Sequence, residues 1–344
     1  MTRNRQILLM SRPDPALGPT EENFALVEAP MPRPAPGEVL LETLFLSLDP
    51  YMRARMYAGA NYAASATLGA PMVGNTVSRI VASEAEGHAP GEIVESAHGW
   101  QAFAAVPAKG LRKIDPTIAP VSTALGVLGM PGQTGYTALV RHGRPQPGDT
   151  VLVSAASGAV GTVVGQTARE LGARAVGIAG GAAKCAFLTD ELGFDAAIDH
   201  RAPDFAQRLA AACPEGVTIY FDNTGGPITA AVLPLLAPEA RLLVCGTVSV
   251  DRDRPGQPQS GPGMQELLSL ALVKRLTIKG FIYTDADLMA LEPEFRATVS
   301  AWVRDGRMRY REDIVDGLEA APRAFLGLFR GANFGKLLVR VAAE

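Results

Sequence analysis

Cysteine is scarce in this chain. Only Cys185, Cys213 and Cys245 occur among 344 residues, far apart and without a C-x-x-C pair. That pattern argues against a disulfide scaffold and against a thiolate zinc site. The first 120 residues hold no cysteine at all, and their two histidines, His88 and His98, sit in loop-like contexts that favour solvent exposure. A catalytic zinc needs about three protein ligands, and no such cluster is visible. A basic excess is missing too: 32 Lys and Arg stand against 35 Asp and Glu, a formal net charge of -3. Nothing is left over to neutralise phosphates, which excludes a nucleic-acid partner. Long apolar runs are also absent. Ile7 to Met10 is too short for a signal-peptide core. The weakly polar stretch Val121–Met130 is soon interrupted by Pro131, Gly132 and Gly135, which argues against a membrane span. The expectation is a cytoplasmic protein.

What is present is ordinary globular material, 47% hydrophobic and 19% charged, in a length that suggests two domains. The first 120 residues are rich in Pro, Gly and β-formers. Short apolar runs at Val39–Leu48, Ile80–Ser83, Glu92–Ser96 and Gln101–Val106 predict a small β-barrel or sandwich. Pro30, Pro32, Pro34 and Pro36 form a stiff connector.

From about Ser122 to Trp302 the texture changes, and strands and helices alternate. The pattern predicts six strands, at 151–155, 175–178, 196–199, 218–221, 241–245 and 276–282. Helices are expected between them at 159–171, 183–192, 205–212, 228–236 and 265–274. That alternation fits an α/β fold with a doubly wound parallel sheet. The last segment returns to mixed character, with a helical 321–329 and a strand-like 336–341 suited to rejoin the first domain.

The strongest local signal is Val151-Leu-Val-Ser-Ala-Ala-Ser-Gly-Ala-Val-Gly161. An apolar strand ends in a small-residue turn that opens a helix, with the spacing Ala156-x-Gly158-x-x-Gly161. Gly158 allows backbone approach to a pyrophosphate, and Gly161 allows close helix–strand packing. The helix N-terminus offers unpaired N–H groups and a positive dipole end. The end of the second strand decides between NAD and NADP. It reads Ile178-Ala-Gly-Gly-Ala-Ala-Lys184, with no carboxylate to hold ribose hydroxyls. Gly180 and Gly181 leave room, and Lys184 and Arg201 supply positive charge for a 2′-phosphate. NADPH is therefore the expected cofactor.

At Leu48-Asp-Pro-Tyr-Met-Arg53, Pro131-Gly-Gln-Thr-Gly-Tyr-Thr-Ala138, Ala155–Gly161, Ala179–Cys185, Phe221-Asp-Asn-Thr-Gly-Gly226 and Gly331-Ala-Asn-Phe-Gly-Lys336 the chain resembles a known family. It is the zinc-independent leukotriene B4 dehydrogenase / prostaglandin reductase branch of the medium-chain dehydrogenase/reductase superfamily, which also holds 2-alkenal reductases. The resemblance covers nearly the whole chain. It implies a GroES-like, mostly β catalytic domain built from both chain ends (1–125 and 310–344) and a Rossmann NADPH-binding domain between them (126–309). Carried over by position, it implies that Gly158, Ala159, Val160 and Gly161 lie along the pyrophosphate, and that Gly181 and Lys184 meet the 2′-phosphate. His200, where the family often has Tyr, would touch the adenosine. Asn223, Cys245, Gly246, Phe281, Ile282, Tyr283 and Asn333 would line the ribose and nicotinamide. Tyr51 and Tyr136 would lie near the cleft. Relatives often carry a tyrosine in the loop after the fifth strand, and Ser249-Val-Asp-Arg-Asp-Arg-Pro255 has none. The family also often forms a homodimer through its sixth strand and adjoining helix.

The implied chemistry is reduction of a C=C bond conjugated to a carbonyl, in an enal or enone. Without a metal, such a substrate is already electrophilic. Hydride goes to the β-carbon, and charge moves onto the carbonyl oxygen, which needs a donor. Tyr51 is the protein candidate, against a packing role for the same ring. Cys245, with no His partner evident, reads as a cofactor-side residue and not a nucleophile. The stretch 250–263 is long for a βα connection and is expected to border the substrate. Two alternatives stand beside this reading: an NADPH quinone reductase, and a non-catalytic NADPH-binding protein.

Overall fold

A computed structural model of the chain describes residues 3–59, 62–248 and 263–344. These divide into two compact units, one of residues 3–125 and Glu312–Glu344, the other of residues 126–248 and 263–311.

The first unit opens with an antiparallel pair, β1 (Asn4–Leu9) and β2 (Phe24–Ala29). β3 (Glu38–Ser47), the short α1 (Tyr51–Arg55), β4 (Thr76–Ser83), β5 (Ile93–Ser96), β6 (Phe103–Pro107) and β7 (Arg112–Lys113) follow. The second unit then runs α2 (Met130–Ala138), β8 (Thr150–Val153), α3 (Ala159–Glu170), β9 (Arg174–Ala179), α4 (Ala182–Ala186) and β10 (Ala196–Asp199). It continues with α5 (Phe205–Ala212), β11 (Val217–Asp222), α6 (Gly226–Val232), β12 (Leu236–Val244), α7 (Met264–Lys274), β13 (Thr277–Gly280), α8 (Ala286–Met289) and α9 (Glu292–Arg304). The chain returns to the first unit with β14 (Glu312–Asp316), α10 (Ala321–Leu328) and β15 (Lys336–Arg340).

In the first unit β14-β15-β3-β4-β5-β7 form one sheet, and β6 also pairs with β3. Burial explains why the chain ends meet there. Phe24 stacks on Trp100 at 5.3 Å, and Phe325 of α10 meets Trp100 edge-on at 5.6 Å. Ile7, Leu9, Leu337 and Val339 fill the same core. Neither terminal segment could bury its apolar side chains alone, so the hydrophobic effect closes the unit across the inserted one.

The second unit carries a parallel sheet in the order β10-β9-β8-β11-β12-β13. Counted from β8 this is 3-2-1-4-5-6, the doubly wound order expected from the alternating pattern. All four residues of β8 are buried, as befits a central strand covered on both faces.

Several boundaries differ from the sequence expectation. The helix expected at 228–236 runs Gly226–Val232, and a single 3₁₀ turn, Leu233–Leu235, follows it. Pro227 suits the first turn of a helix, and Pro234 cannot continue one. The following strand starts early, at Leu236, and its pairing with β11 shifts register past Val217, where Glu239 takes a left-handed φ of 63°. β13 stops at Gly280, so Phe281 and Ile282 lie beyond the sheet.

One ion pair lies inside the first unit. Lys336 Nζ meets Asp49 Oδ1 at 2.6 Å and donates to the Leu48 carbonyl at 3.0 Å, with both side chains almost wholly buried. Ser47 Oγ donates to the other Asp49 oxygen. This clamps the turn that leads into Tyr51 to the start of β15. Lys336→Ala would leave a buried carboxylate uncompensated and is expected to cost about 3–5 kcal/mol. The Asp49→Leu/Lys336→Met double variant should recover most of that loss. Thermal melts compare them, and an unchanged melting temperature in Lys336→Ala would show that the pair holds nothing.

Candidate nucleotide-binding site

The β8–α3 turn is tightly packed. Ala155 adopts φ 48°, a left-handed conformation costly for a residue with a side chain. Its carbonyl receives the Gly158 N–H at 2.9 Å, and the Ala156 N–H reaches back to Ile178 at 2.9 Å. Gly158 caps α3 without any side-chain cap. The N–H groups of Ala159, Val160 and Gly161 therefore sit in a first helical turn with no helical acceptors, at the positive end of the dipole. A Cβ on Gly161 would lie 2.6 Å from the Ala155 oxygen and 2.6 Å from Ala156 Cα, both backbone. A Cβ on Gly158 would approach only the Ala155 oxygen, at 3.2 Å. Gly161 thus serves packing, while Gly158 keeps the approach to the helix end clear.

Beside it, β9 and β10 end together. A Cβ on Gly180 would lie 2.9 Å from His200 Nε2 and 3.0 Å from Arg201 Nε. Gly181, at φ 97°, starts α4, which carries Lys184. The Asp199 carboxylate accepts from the N–H groups of Gly181 and Arg201, both at 2.9 Å. Those two bonds hold it below the usual carboxylate range. Burial first, then Arg201, with a smaller push from Lys184, moves the His200 imidazole below its ordinary value, while Asp199 pulls the other way. His200 is thus neutral where Arg201 and Lys184 are charged. This corner gathers two cations, a neutral imidazole and two glycines, and its one carboxylate is occupied with backbone.

On the other side of β8, the end of β11 is built around Asp222. Asn223 donates its backbone N–H to Ser154 Oγ at 2.8 Å and its side-chain amide to the Ser154 carbonyl at 2.8 Å. Cys245 and Gly246, just past β12, both donate to the Asp222 carbonyl, at 2.9 and 3.1 Å. Burial, and then the Asp222 charge, pushes the Cys245 thiol up to about 12. It stays protonated and is no nucleophile. Phe281 packs its ring on Phe221 and His142, each at 5.9 Å. Ile282 donates to Asp285 at 3.0 Å, and Tyr283 is half-buried in the same turn.

Tyr136 lies in the core of this unit. Its ring packs among Phe295 and Trp302, and its hydroxyl meets Glu294 at 2.7 Å. Burial and that bond push the phenol up to about 12. This corrects the expectation that it borders a cleft.

In the first unit, Tyr51 begins α1, half-buried, and Asn333 closes its own loop by donating to Gly335 at 2.8 Å. His98 departs from the exposed loop histidine expected. It is partly buried, with Nε2 2.8 Å from Thr43 Oγ1 and Nδ1 near Ser96 and Thr76, and burial lowers it to about 4. Among the described residues no three or more His, Cys, Asp or Glu side chains gather as a metal site. The Ser249–Pro255 segment and nearly all of the 250–263 stretch lie outside the described residues.

Sequence reading named Asn223 but gave Ser154, Asp222, Thr229 and Asp199 no role. Asp222 and Asp199 each end a strand and lead into a turn, the setting in which Asp side chains bind nearby backbone, and after Asp222 that turn holds Gly225 and Gly226. That signal was available.

A parallel sheet with a glycine turn under an uncapped helix, and a mostly β unit made from the two ends of the chain, define a class: nucleotide-binding α/β oxidoreductases. Comparison narrows it. Residues 5–114 match a model described as the N-terminal domain of oxidoreductase, and residues 159–302 one described as zinc-binding dehydrogenase. The NADPH-dependent curcumin reductase of Escherichia coli (strain K12) is 44% identical, across 99% of this chain and 98% of that protein. Prostaglandin reductase 1 of Rattus norvegicus is 37% identical, across 94% of this chain and 95% of its own length. The crystal structure of CurA from Vibrio vulnificus in complex with NADPH superposes with a TM-score of 0.92 at 44% identity, over 99% of this chain and 100% of that one. The chain belongs to the medium-chain dehydrogenase/reductase superfamily, in the branch of the curcumin and prostaglandin reductases.

The geometry separates the two turn glycines. Gly161→Ala is expected to destabilise the fold by about 1–3 kcal/mol, since the atoms it meets are backbone. Gly158→Ala should melt like the parent yet bind dinucleotide more weakly. Melting curves and a fluorescence titration read the two effects, and equal behaviour of the variants would contradict the division of roles.

Proposed function

We propose that this protein reduces the C=C bond of α,β-unsaturated aldehydes or ketones with NADPH. The observation that carries the cofactor half is the β9–β10 corner. Gly181 leaves space, the room beside Gly180 is taken by His200 and Arg201, Lys184 and Arg201 bring positive charge, and Asp199 spends its carboxylate on backbone N–H groups. An NAD site would present a carboxylate to the ribose hydroxyls; this corner suits a 2′-phosphate. The kinship with reductases named for curcumin and prostaglandins supports the substrate class.

In this reading the N–H groups of Ala159, Val160 and Gly161 bind the pyrophosphate. Gly181 and Lys184 take the 2′-phosphate, and His200 borders the adenosine. Because the two halves of a dinucleotide straddle the switch point of such a sheet, the nicotinamide falls on the side of β11 and β12. Asn223, Cys245, Gly246, Phe281, Ile282 and Tyr283 belong to that side, and Asn333 is assigned there by family position. NADPH, when bound, supplies the hydride that reaches the substrate's β-carbon. Tyr51 is the proposed donor to the carbonyl oxygen as the π electrons move onto it. The α-carbon then takes its proton from water, and no chain residue is assigned to that step.

We further propose a homodimer in the cytoplasm, working without zinc. Among the described residues no helix is long and apolar enough to cross a membrane. α7 leaves Met264, Leu268, Leu272 and Val273 more than half exposed, and β13 is the outer strand of its sheet. Such an apolar face beside an open strand edge calls for a partner. Light scattering should give twice the chain mass, and Leu272→Glu should halve it; a parent that runs as a monomer refutes the assignment.

A panel of enals, enones and quinones with NADPH tests the activity. Turnover confined to quinones would favour the quinone reductase, and tight NADPH binding without any turnover a binding protein. Lys184→Ala should weaken NADPH by about tenfold or more, the loss of one charge-assisted phosphate contact, and leave NADH nearly unchanged. Equal weakening of both would remove the lysine from the phosphate site.

A further inference from the structure

Asp222 is a carboxylate sealed in the second unit, only 3% exposed. Its Oδ1 receives Ser154 Oγ at 2.9 Å, Tyr220 OH at 3.0 Å, the Thr224 N–H at 2.9 Å and the Gly225 N–H at 3.0 Å. Thr224 Oγ1 adds a contact at 3.2 Å, and Thr229 Oγ1 lies 2.5 Å from Oδ2. Every partner among the described residues is neutral. Burying a carboxylate this deeply is costly, and the usual remedy is a cation. Here a shell of hydroxyls and backbone N–H groups takes its place. Such dipoles stabilise a negative charge and weaken its field at longer range without removing the net charge. Burial first, and then the Asp222 charge, raises both the Tyr220 phenol on the same strand and the Cys245 thiol just past β12.

A purely structural tie between Ser154 and the Thr224–Gly225 turn could be made by a neutral amide, with less desolvation. The retained charge lies at the carboxyl end of β11, next to Asn223 and below Cys245 and Gly246. On the reading given above, this is the nicotinamide side of the sheet. The ring is neutral in NADPH and positively charged in NADP+. We propose that Asp222 acts as a fixed negative charge that stabilises the oxidised nicotinamide, so that the protein favours loss of hydride from the bound cofactor. Asp222 touches neither cofactor nor substrate. It is a positioning residue for Asn223 and an electrostatic one for the ring.

This inference rests on the NADPH reading, and its test separates the two. Dissociation constants for NADPH and NADP+ are measured by protein-fluorescence titration on the parent and on Asp222→Asn, with a thermal melt as the folding control. If the parent binds neither form, the NADPH reading fails. If it binds both, Asp222→Asn should weaken NADP+ about tenfold more than NADPH, the order expected for loss of one nearby unit charge at an effective dielectric near 20. Equal weakening of the two forms, which a scaffold role predicts, overturns the proposal, as does no change in either. Should Asp222→Asn fail to fold, Thr229→Val removes one donor and keeps the charge. A less screened carboxylate should then shift the affinity ratio about twofold further toward NADP+, and a ratio that stays put or moves toward NADPH overturns the proposal.

Discussion

The approach of α3 to the end of β8 is the constraint on which the second unit depends. A helix that begins where a buried strand stops must bring its first turn against the strand's backbone. At Gly161 that distance leaves no room for even a methyl group. The turn meets the requirement by forcing Ala155 into a left-handed conformation and by leaving the helix without a side-chain cap. Both features cost stability, and both point unpaired N–H groups toward the carboxyl edge of the sheet. On the proposed reading a diphosphate compensates them, so that binding energy and local strain become two aspects of one piece of geometry.

Much of this was legible in the sequence because it depends on local rules. The alternation of apolar strands and amphipathic helices gives the parallel sheet, and the Ala156-x-Gly158-x-x-Gly161 spacing gives the turn. The absence of a carboxylate after β9 gives the cofactor preference. What stayed hidden depends on contacts between residues distant in the chain. Thr43 and Thr76 enclose His98, so an apparent loop histidine is a satisfied, partly buried one. Glu294 lies 158 positions from Tyr136 and still takes its hydroxyl, which puts that ring in a core. Lys336 reads as an ordinary strand-opening lysine until Asp49 is seen beside it. Proline explains the boundary errors around α6: the 3.6-residue pattern continues through Pro234, but the hydrogen bonding cannot.

The two units solve their charge problems differently. In the first, Asp49 and Lys336 neutralise each other inside the core, and the pair fixes the chain on either side. In the second, the buried Asp222 has no cation beside it among the described residues. Arg201 and Lys184 gather near the ends of β9 and β10, while Asp222 sits uncompensated at the end of β11. The solvation cost falls on Asp222, which is buried, since Arg201 is exposed and Lys184 only partly buried.

A ligand with matching asymmetry makes the arrangement favourable. NADPH is strongly anionic at its adenosine and pyrophosphate end, and neutral at the nicotinamide until hydride has left. On the proposed reading, cations at one end of the edge hold the molecule in either redox state, and contribute to affinity alone. A carboxylate at the other end interacts differently with the two states, so its effect falls on the reaction. Binding and reactivity can then be tuned by different residues on the same sheet edge, provided the strand order keeps them apart. The 3-2-1-4-5-6 order does so, because it sends β9 and β11 to opposite sides of β8.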